Sequence, residues 1–314
     1  MKLDLHVPLY IAALAALSLT PTILAQDATM KDTKEKPDYC SVGKLVGSKV
    51  RMSPGAEARR EAAKDGETPK RPTGKIDDIL VDVHDGKLEY AVVSFGGFIG
   101  IGDKTVAIPC SALMWNEAQE RFDIDASEDR LKALPAFDLG KARSAGLDNA
   151  CASLHEHWVP ADGASADEKR AYKEAKEASA MKVGDAKVLE GTAFHTIPAR
   201  LVCVTEIDDY PVYSSKEKFG KIDDLLVDRG TKTISLAVVK RGGALGMGGT
   251  EYLVPFRALN YCTSGDEKVH CVNCDTAKLE TAVVYEKPKH GVVDDDAARR
   301  ALASDTFPVR KSDR

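Results

Sequence analysis

Hydrophobic and polar residues alternate in short runs along most of the chain, and this pattern predicts β-strands. Residues 76–83 and 88–94 both read as strands, and Asp85 and Gly86 between them form a strong two-residue hairpin signal. A glycine-rich loop, "GGFIGIGD", leads into a further strand, residues 120–127 read as another, and "EDRLKAL" reads as a short helical turn. Short strands with frequent turns and no long apolar helix predict a small antiparallel barrel or sandwich.

The same pattern occurs twice. "GKIDDILVD" begins at Gly74 and "GKIDDLLVD" begins at Gly220. Residues 74–115 and 220–261 align without a gap, and 18 of these 42 positions are identical. One more predicted strand precedes each copy, at residues 44–52 in the first and from "RLVCVTEI" to "YPVYSS" in the second. The chain is therefore an internal duplication of one β-rich unit.

The repeated pattern resembles a known family. "GKIDDILVD", followed by "AVVSFGGFIGIGDKTVAIP" and "SAL", is similar to the PRC-barrel, the compact β-barrel module of the photosynthetic reaction-centre H subunit and of a ribosome maturation factor. The resemblance implies a mainly β fold: two small antiparallel PRC-type β-barrels joined by a partly helical linker. It also implies an interaction module. Copy one departs from the pattern with a 16-residue polar insertion before Gly74 and with Cys110, where copy two has Phe256 and the family usually has an aromatic residue.

Five segments follow from these assignments. Residues 139–195 have the composition of a polar linker, with a helix predicted after the capping box of Ser165 and Glu168. The predicted segments are a signal peptide at 1–25, barrel 1 at 40–138, this linker, barrel 2 at 196–286, and a charged C-terminal tail at 287–314 with a weak helix near 294–303.

The N-terminal segment differs from the rest of the chain. Residues 7–25 carry no charge, Lys2 precedes them, and the small residue Ala25 ends the stretch. This pattern predicts a signal peptide cleaved near Ala25, and therefore a periplasmic or extracellular protein. The alternative is a membrane-anchored protein, because residues 7–25 are long enough to span a bilayer if they stay attached.

Composition and charge limit the class of protein. An apolar content of 43% and a charged content of 30% are typical of a soluble globular protein. A net charge of −5 provides no basic field for nucleic-acid binding. In an oxidising compartment some of the seven cysteines are expected to pair, and at least one stays free or bonds another chain because seven is odd.

The repeated acids are the first candidate contact site. Strand alternation predicts Asp78 and Asp82 on one face, with Ile79 and Val81 on the other. One interpretation is that these carboxylates cap turns and keep a sheet edge soluble. The other, implied by the family resemblance, is contact with a partner or a cation. The six candidates are Asp77, Asp78, Asp82, Asp223, Asp224 and Asp228.

The two glycine loops are the second candidate site. A phosphate-binding loop needs a helix N-terminus after it, whereas a strand follows both loops here, so they are predicted hairpin connections. Their apolar side chains either plug the barrels or dock a partner or membrane surface. The candidates are Phe98, Ile99, Leu245 and Met247.

The cysteines of the second copy are the third candidate. Cys271 and Cys274 have redox spacing, but they lie at the end of a predicted strand, whereas a thioredoxin-type pair begins a helix. Structural disulfides involving Cys262 across the hairpin are therefore preferred. Metal binding by Cys271 and Cys274 would need two further ligands.

These features predict an exported tandem PRC-barrel protein that acts as a non-catalytic protein-binding or scaffold module of the cell envelope. No catalytic residue, metal or cofactor is predicted. The expected partner is another protein and not nucleic acid, with a second copy of the chain and, for an uncleaved N-terminus, the membrane as open alternatives. The alternative function is a redox-active or metal-binding envelope protein that uses Cys271 and Cys274.

Overall fold

The computed structural model describes one compact unit within residues 37–314. The described residues are 38–52, 64–66, 73–98, 102–124, 126, 128–158, 169–170, 172–173, 176–177, 187–189, 192–215, 217–243, 248–286, 295–304 and 307. The predicted signal peptide and most of the predicted linker helix lie outside them. None of the helices in the described part of the chain is both long and apolar enough to cross a membrane.

Each copy of the repeat forms the same eight elements in the same order. Repeat 1 (residues 39–124) comprises β1 (Tyr39–Ser41), α1 (Val42–Leu45), β2 (Lys49–Met52), β3 (Thr73–Asp82), β4 (Leu88–Phe98), β5 (Gly102–Pro109), β6 (Leu113–Asn116) and β7 (Arg121–Ile124). After it the described residues include α2 (Glu128–Ala133), α3 (Leu139–Ala145), α4 (Leu147–Cys151), a 3-10 helix (Leu154–Trp158) and the two-residue strand β8 (His195–Thr196).

Repeat 2 (residues 201–272) comprises β9 (Leu201–Cys203), α5 (Val204–Ile207), β10 (Pro211–Tyr213), β11 (Lys218–Asp228), β12 (Thr233–Arg241), β13 (Thr250–Pro255), β14 (Leu259–Ser264) and β15 (Glu267–Val272). After it come α6 (Thr276–Leu279), β16 (Val283–Val284) and α7 (Asp295–Ala303).

The predicted mainly β class is confirmed, with two sheets. Sheet 1 has the order β5-β4-β3-β2-β7-β6, and sheet 2 has the corresponding order β13-β12-β11-β10-β15-β14, extended by β16 at one end and β8 at the other. Strand pairing is antiparallel except between β2 and β7 and between β10 and β15, which are parallel. The equivalent orders show that duplication of the sequence duplicates the sheet.

The segment before each long strand differs from the prediction of one continuous strand. It is split into a strand, one helical turn and a second strand: β1-α1-β2 in repeat 1 and β9-α5-β10 in repeat 2. In repeat 1 the Ser41 side chain accepts a hydrogen bond from the Gly43 N–H at 3.2 Å and caps the helical turn. The turn redirects the chain, so that the first and last strands of the segment join different sheets.

The two repeats exchange their first strands. β1 of repeat 1 pairs with β11 of repeat 2, and β9 of repeat 2 pairs with β3 of repeat 1. The registers are equivalent, since Tyr39 lies opposite Asp228 and Leu201 lies opposite Asp82. Each sheet is therefore completed by a strand from the other copy.

The exchange produces one main hydrophobic core. Fully buried residues of both repeats belong to one cluster, among them Val50 and Ile108 from repeat 1 and Val212 and Ile222 from repeat 2. Burying one such side chain stabilises the fold by about 1.5–3 kcal/mol. Neither repeat encloses this core alone.

Helices cover the outer faces of both sheets. α3 and α4 bury Ala142 and Leu147 in a cluster with Leu80 and Val92 of sheet 1. At the equivalent place on sheet 2, α7 buries three alanines, Ala297, Ala298 and Ala301, with Leu226 and Val238. The predicted helix in the charged tail therefore exists, and it is packed against the second sheet.

Candidate functional site

The doubled aspartate of each GKIDD motif lies at a β-bulge. The register of β3 with β4 shifts between Ile76 and Asp78, and that of β11 with β12 shifts between Ile222 and Asp224. A bulge places two residues of one strand opposite one residue of its neighbour, which interrupts strict alternation. Asp77 is exposed, whereas Asp78 beside it is buried.

Asp78 holds the exchanged strand segment of repeat 2. Its carboxylate accepts hydrogen bonds from the Thr205 hydroxyl at 2.5 Å and from the Ile79 N–H at 2.8 Å. Arg143 of α3 donates to the same carboxylate at 3.1 Å and also pairs with Glu206 at 2.6 Å. Asp78 is 2% exposed, so these contacts use its side chain inside the protein.

Asp82 belongs to a second buried polar group. Arg200, next to β9, donates to Asp82 at 3.1 Å and to Glu89 at 3.3 Å, and all three side chains are buried. Asp148 of α4 accepts from the backbone N–H of Arg200 at 2.9 Å. Burial raises the pKa of the Glu89 carboxyl, although the nearby Lys87 and Arg200 partly offset this effect.

The Asp78 and Asp82 carboxylates are both buried against the other repeat, and their predicted contact with a partner or a cation stays a prediction. Asp224 has the equivalent role and accepts from the Ser41 hydroxyl at 2.8 Å. Asp228 caps a turn and accepts from the Gly230 N–H at 2.9 Å, as the turn-capping interpretation expects. Asp223 lies 3.9 Å from Lys240. Asp77 and Asp223 stay candidate contacts.

The tips of the glycine loops lie outside the described residues. The parts of the loops that are not described comprise Ile99, Leu245, Met247 and the side chain of Phe98, so the predicted contacts of these four residues stay a prediction. The flanks of the second loop are described, and Gly242 and Gly249 both have positive φ angles, of 75° and 100°. A side chain on Gly249 would meet the Gly242 carbonyl oxygen at 2.7 Å, so glycine is needed for this hairpin to close, as predicted.

All seven cysteines are buried and are thiols in this structure. Cys271 contacts Cys262, and not Cys274: the Cys262 and Cys271 thiols are in hydrogen-bonding contact and share a cluster with Phe194, whereas Cys274 packs in the main core. Burial raises the pKa of Cys274 to about 11, and the contact with Cys262, together with burial, raises the pKa of Cys271. Raised pKa values are the opposite of what an active redox thiol requires. The predicted disulfides stay a prediction.

The same place in repeat 1 shows why the two thiols meet. Asn116 and Asp123 are the equivalents of Cys262 and Cys271, and Asn116 donates to Asp123 at 2.8 Å. Arg121 and Arg51 also pair with Asp123, at 2.8 and 3.4 Å. The sheet face that carries Asn116 and Asp123 is therefore polar in repeat 1, whereas the equivalent face with Cys262 and Cys271 is apolar in repeat 2. Within the described ranges, no three His, Cys, Asp or Glu side chains converge as metal ligands.

The edges of the sheets form a candidate site that no sequence motif indicated. In sheet 2, β8 covers β14, with Ile197 N–H donating to the Tyr261 carbonyl at 3.0 Å, and β16 covers β13. In sheet 1, the segment after α2 covers β5, where Phe137 N–H donates to the Thr105 carbonyl at 2.8 Å. Among the described residues, no strand covers the outer edge of β6.

The uncovered edge of β6 carries an exposed apolar side chain. Met114 is 56% exposed, and its neighbour Trp115 is the equivalent of Tyr261. Because Tyr261 directs its carbonyl toward β8, Trp115 is expected to direct its own backbone groups outward from β6. An edge of this kind is a template for pairing with another strand.

The described residues thus form two equivalent sheets that share a core, and in this part of the chain no segment covers the outer edge of β6. The PRC-barrel domain family matches the chain in two segments, residues 70–131 and 203–273. The chain therefore carries two tandem PRC-barrel domains, as the repeat predicted. No curated protein matches the chain.

Proposed function

We propose that this protein is an exported, non-catalytic binding protein of the cell envelope, and that it holds a partner protein at the open edge of β6. The observation that carries the proposal is the difference between the edges. β5, β13 and β14 are each covered by another segment of the chain, whereas β6 is uncovered in the described part of the structure.

The covered edge of β14 supplies a template for the partner. There the extended residues His195 and Thr196 lie antiparallel to Thr263 and Cys262, and the docked strand is only two residues long. A partner segment in extended conformation can add to β6 by the same backbone pairing, and its affinity then comes mainly from main-chain hydrogen bonds.

The exposed apolar side chains also favour the edge of β6 as the binding site. The exposed large hydrophobic side chains of the described residues are Met114, Val188 and Val284. Val284 lies on the covering strand β16 and Val188 pairs with His195 of β8, so both belong to segments that already cover an edge. Met114 belongs to the edge that is not covered.

The buried polar groups support a binding role over a catalytic one. Asp78, Asp82 and Arg200 are each hydrogen-bonded across the repeat boundary, where they fix one repeat on the other. A rigid double module is suited to presenting a surface, because little ordering is required when the partner binds. Export rests on the uncharged residues 7–25, and cleavage near Ala25 is part of the proposal.

The test is affinity purification of the tagged protein from its own cells, with two matched variants. Met114→Lys places a charge on the open edge, and Val284→Lys places the same charge on a site of similar exposure, 54% against 56%. A partner retained by the wild type and by Val284→Lys but lost with Met114→Lys supports the proposal. Equal retention of the partner by both variants contradicts partner binding at the edge of β6. A purified chain that still begins at Met1 contradicts signal cleavage.

A further inference from the structure

Repeat 1 contains an open slot at a place where repeat 2 has an aromatic ring. Cys110 and Phe256 are equivalent residues, and each begins the short 3-10 helix after β5 or β13. A thiol is smaller than a benzyl group, and next to Cys110 there is a cavity of about 40 Å³. Its apolar lining includes Leu45, Ile76, Ile79, Leu88, Ala91 and Leu113.

Repeat 2 shows what fits this place in the fold. Phe256 is 1% exposed, and its ring centre lies 6.3 Å from that of His270. The ring also reaches the hairpin turn of repeat 1, where a side chain on Gly86 would approach it to 2.9 Å. A phenyl ring therefore fills the slot of repeat 2, in a sheet of the same strand order.

The slot of repeat 1 is smaller than a whole ring. Its volume of about 40 Å³ holds about three water-sized spheres of about 10–15 Å³ each, whereas an apolar cavity that encloses benzene measures about 150 Å³, so a ring can enter the slot only by one edge. The slot shares Leu45, Trp115 and Arg229 with a larger neighbouring cavity of about 390 Å³. Ligand sites of small molecules have this size and this combination of an apolar end and a polar end.

Both repeats build the mouth of the slot. Arg229 of repeat 2 lies over the Trp115 ring of repeat 1, 5.2 Å from its centre, and pairs with Glu117 at 3.0 Å and with Asp38 at 2.6 Å. Trp115 donates its indole N–H to Glu117 at 2.6 Å. These contacts hold the ring and the guanidinium at the junction of the two cavities.

The charges around the two cavities balance. Their described lining includes three carboxylates and three cationic side chains: Asp38, Glu117, Glu120, Lys44, Arg229 and Lys232. Burial raises the pKa of the Cys110 thiol to about 12, so it is protonated and uncharged at neutral pH. Neither an anion nor a cation is favoured by the total charge.

We propose that this slot binds a small aromatic molecule without net charge, with its ring beside Cys110 and its polar end at Arg229 and Glu117. One edge of the aromatic ring takes part of the place that the Phe256 ring has in repeat 2, and the rest of the molecule extends into the neighbouring cavity. This proposal does not depend on the binding of a partner protein at β6.

The test is calorimetric titration of the purified protein with benzyl alcohol, which is uncharged, and with benzylamine and phenylacetate as its charged counterparts. Saturable binding of benzyl alcohol at one site, tighter than that of either ion, is expected. The Cys110→Phe variant should bind benzyl alcohol more than about tenfold more weakly, because a ring already occupies the slot. Cys110→Ala, which enlarges the slot, should retain binding.

Two results would overturn the proposal: no saturable binding of benzyl alcohol to the wild type, or equal binding to the wild type and Cys110→Phe. Circular dichroism establishes that each variant is folded. If Cys110→Phe does not fold, Cys110→Leu provides the same comparison with a smaller side chain, and undiminished binding to Cys110→Leu then counts against the slot.

Discussion

Lys87 and Thr233 occupy equivalent positions in the two repeats, and they pair with each other in an antiparallel bridge. The flanking hydrogen bonds are also equivalent: Leu88 N–H donates to the Lys232 carbonyl at 2.9 Å, and Ile234 N–H donates to the Gly86 carbonyl at 2.7 Å. A residue that pairs with its own equivalent marks a local two-fold axis. The two repeats are therefore arranged as the subunits of a two-fold dimer, joined in one chain.

We expect this arrangement to make the repeats one folding unit. A specific protease site inserted after Glu177, between the repeats, should give two fragments that stay together, because strand exchange and the common core survive the cut. Size-exclusion chromatography before and after cleavage measures this. Fragments that separate at micromolar concentration without denaturant would show that the repeats are independent.

The buried acid of the GKIDD motif should be much more important for stability than the exposed acid beside it. Asp78→Asn weakens the charge-assisted bonds from Thr205 and Arg143, and we expect a loss of about 2–3 kcal/mol in the free energy of unfolding. Asp77→Asn is the matched control, with an expected change within about 0.5 kcal/mol. Urea unfolding of both variants measures the difference. Equal effects would contradict the assigned roles.

Glu89 should make stability depend on pH. Its folded pKa is raised above the ordinary value of 4.5, so the folded protein keeps this proton to a higher pH than the unfolded chain. The contribution of Glu89 to stability therefore falls as pH rises from about 4.5 through the folded pKa. Glu89→Gln should remove this fall, whereas exposed Glu267→Gln should leave it in place. Denaturant unfolding between pH 4.5 and 7 measures this pH dependence of the free energy of unfolding. A wild type and a Glu89→Gln variant with parallel profiles would contradict this assignment.

If a disulfide forms in repeat 2, we expect it to link Cys262 with Cys271. The two thiols are in contact, whereas Cys274 lies in another cluster. Oxidised glutathione would accept the electrons, so that two thiols become one disulfide and two molecules of reduced glutathione are released. Peptide mapping by mass spectrometry identifies the link. Cys274→Ser should preserve it and Cys262→Ser should abolish it, and a link between Cys271 and Cys274 would show that sequence spacing decides the pairing.

Local signals in the sequence were sufficient to predict the long strands. The Asp85-Gly86 turn and the repeated alternation predicted β3 and β4, and the duplication transferred the same elements to β11 and β12. The exchange of β1 and β9 was not predictable in this way. Both repeats present equivalent edges, and alternation does not distinguish pairing within a repeat from pairing between repeats.

The candidate site was harder to predict because its signals are non-local. Ile79 and Val81 lie in the main core as alternation predicts, but Asp78 is buried by Arg143 of α3 and Thr205 of repeat 2, which are distant in the sequence. The helix α7 packs through alanines, which give a weak apolar pattern. The open edge of β6 had a usable signal. Asn116 and Asp123 are polar, whereas the equivalent residues of repeat 2 are Cys262 and Cys271. Only the apolar sheet face of repeat 2 therefore requires a covering segment, and Phe194 packs there.

Photo-crosslinking at the edge of β6 tests the central claim most directly. A photoreactive phenylalanine analogue is placed at position 114 in one sample and at position 284 in the other, two sites of similar exposure on different edges. Irradiation in cells followed by mass spectrometry identifies the crosslinked peptides. A partner peptide attached at position 114 and absent at position 284 is the predicted result. The same peptides at both positions, or none at position 114, would contradict partner binding at this edge.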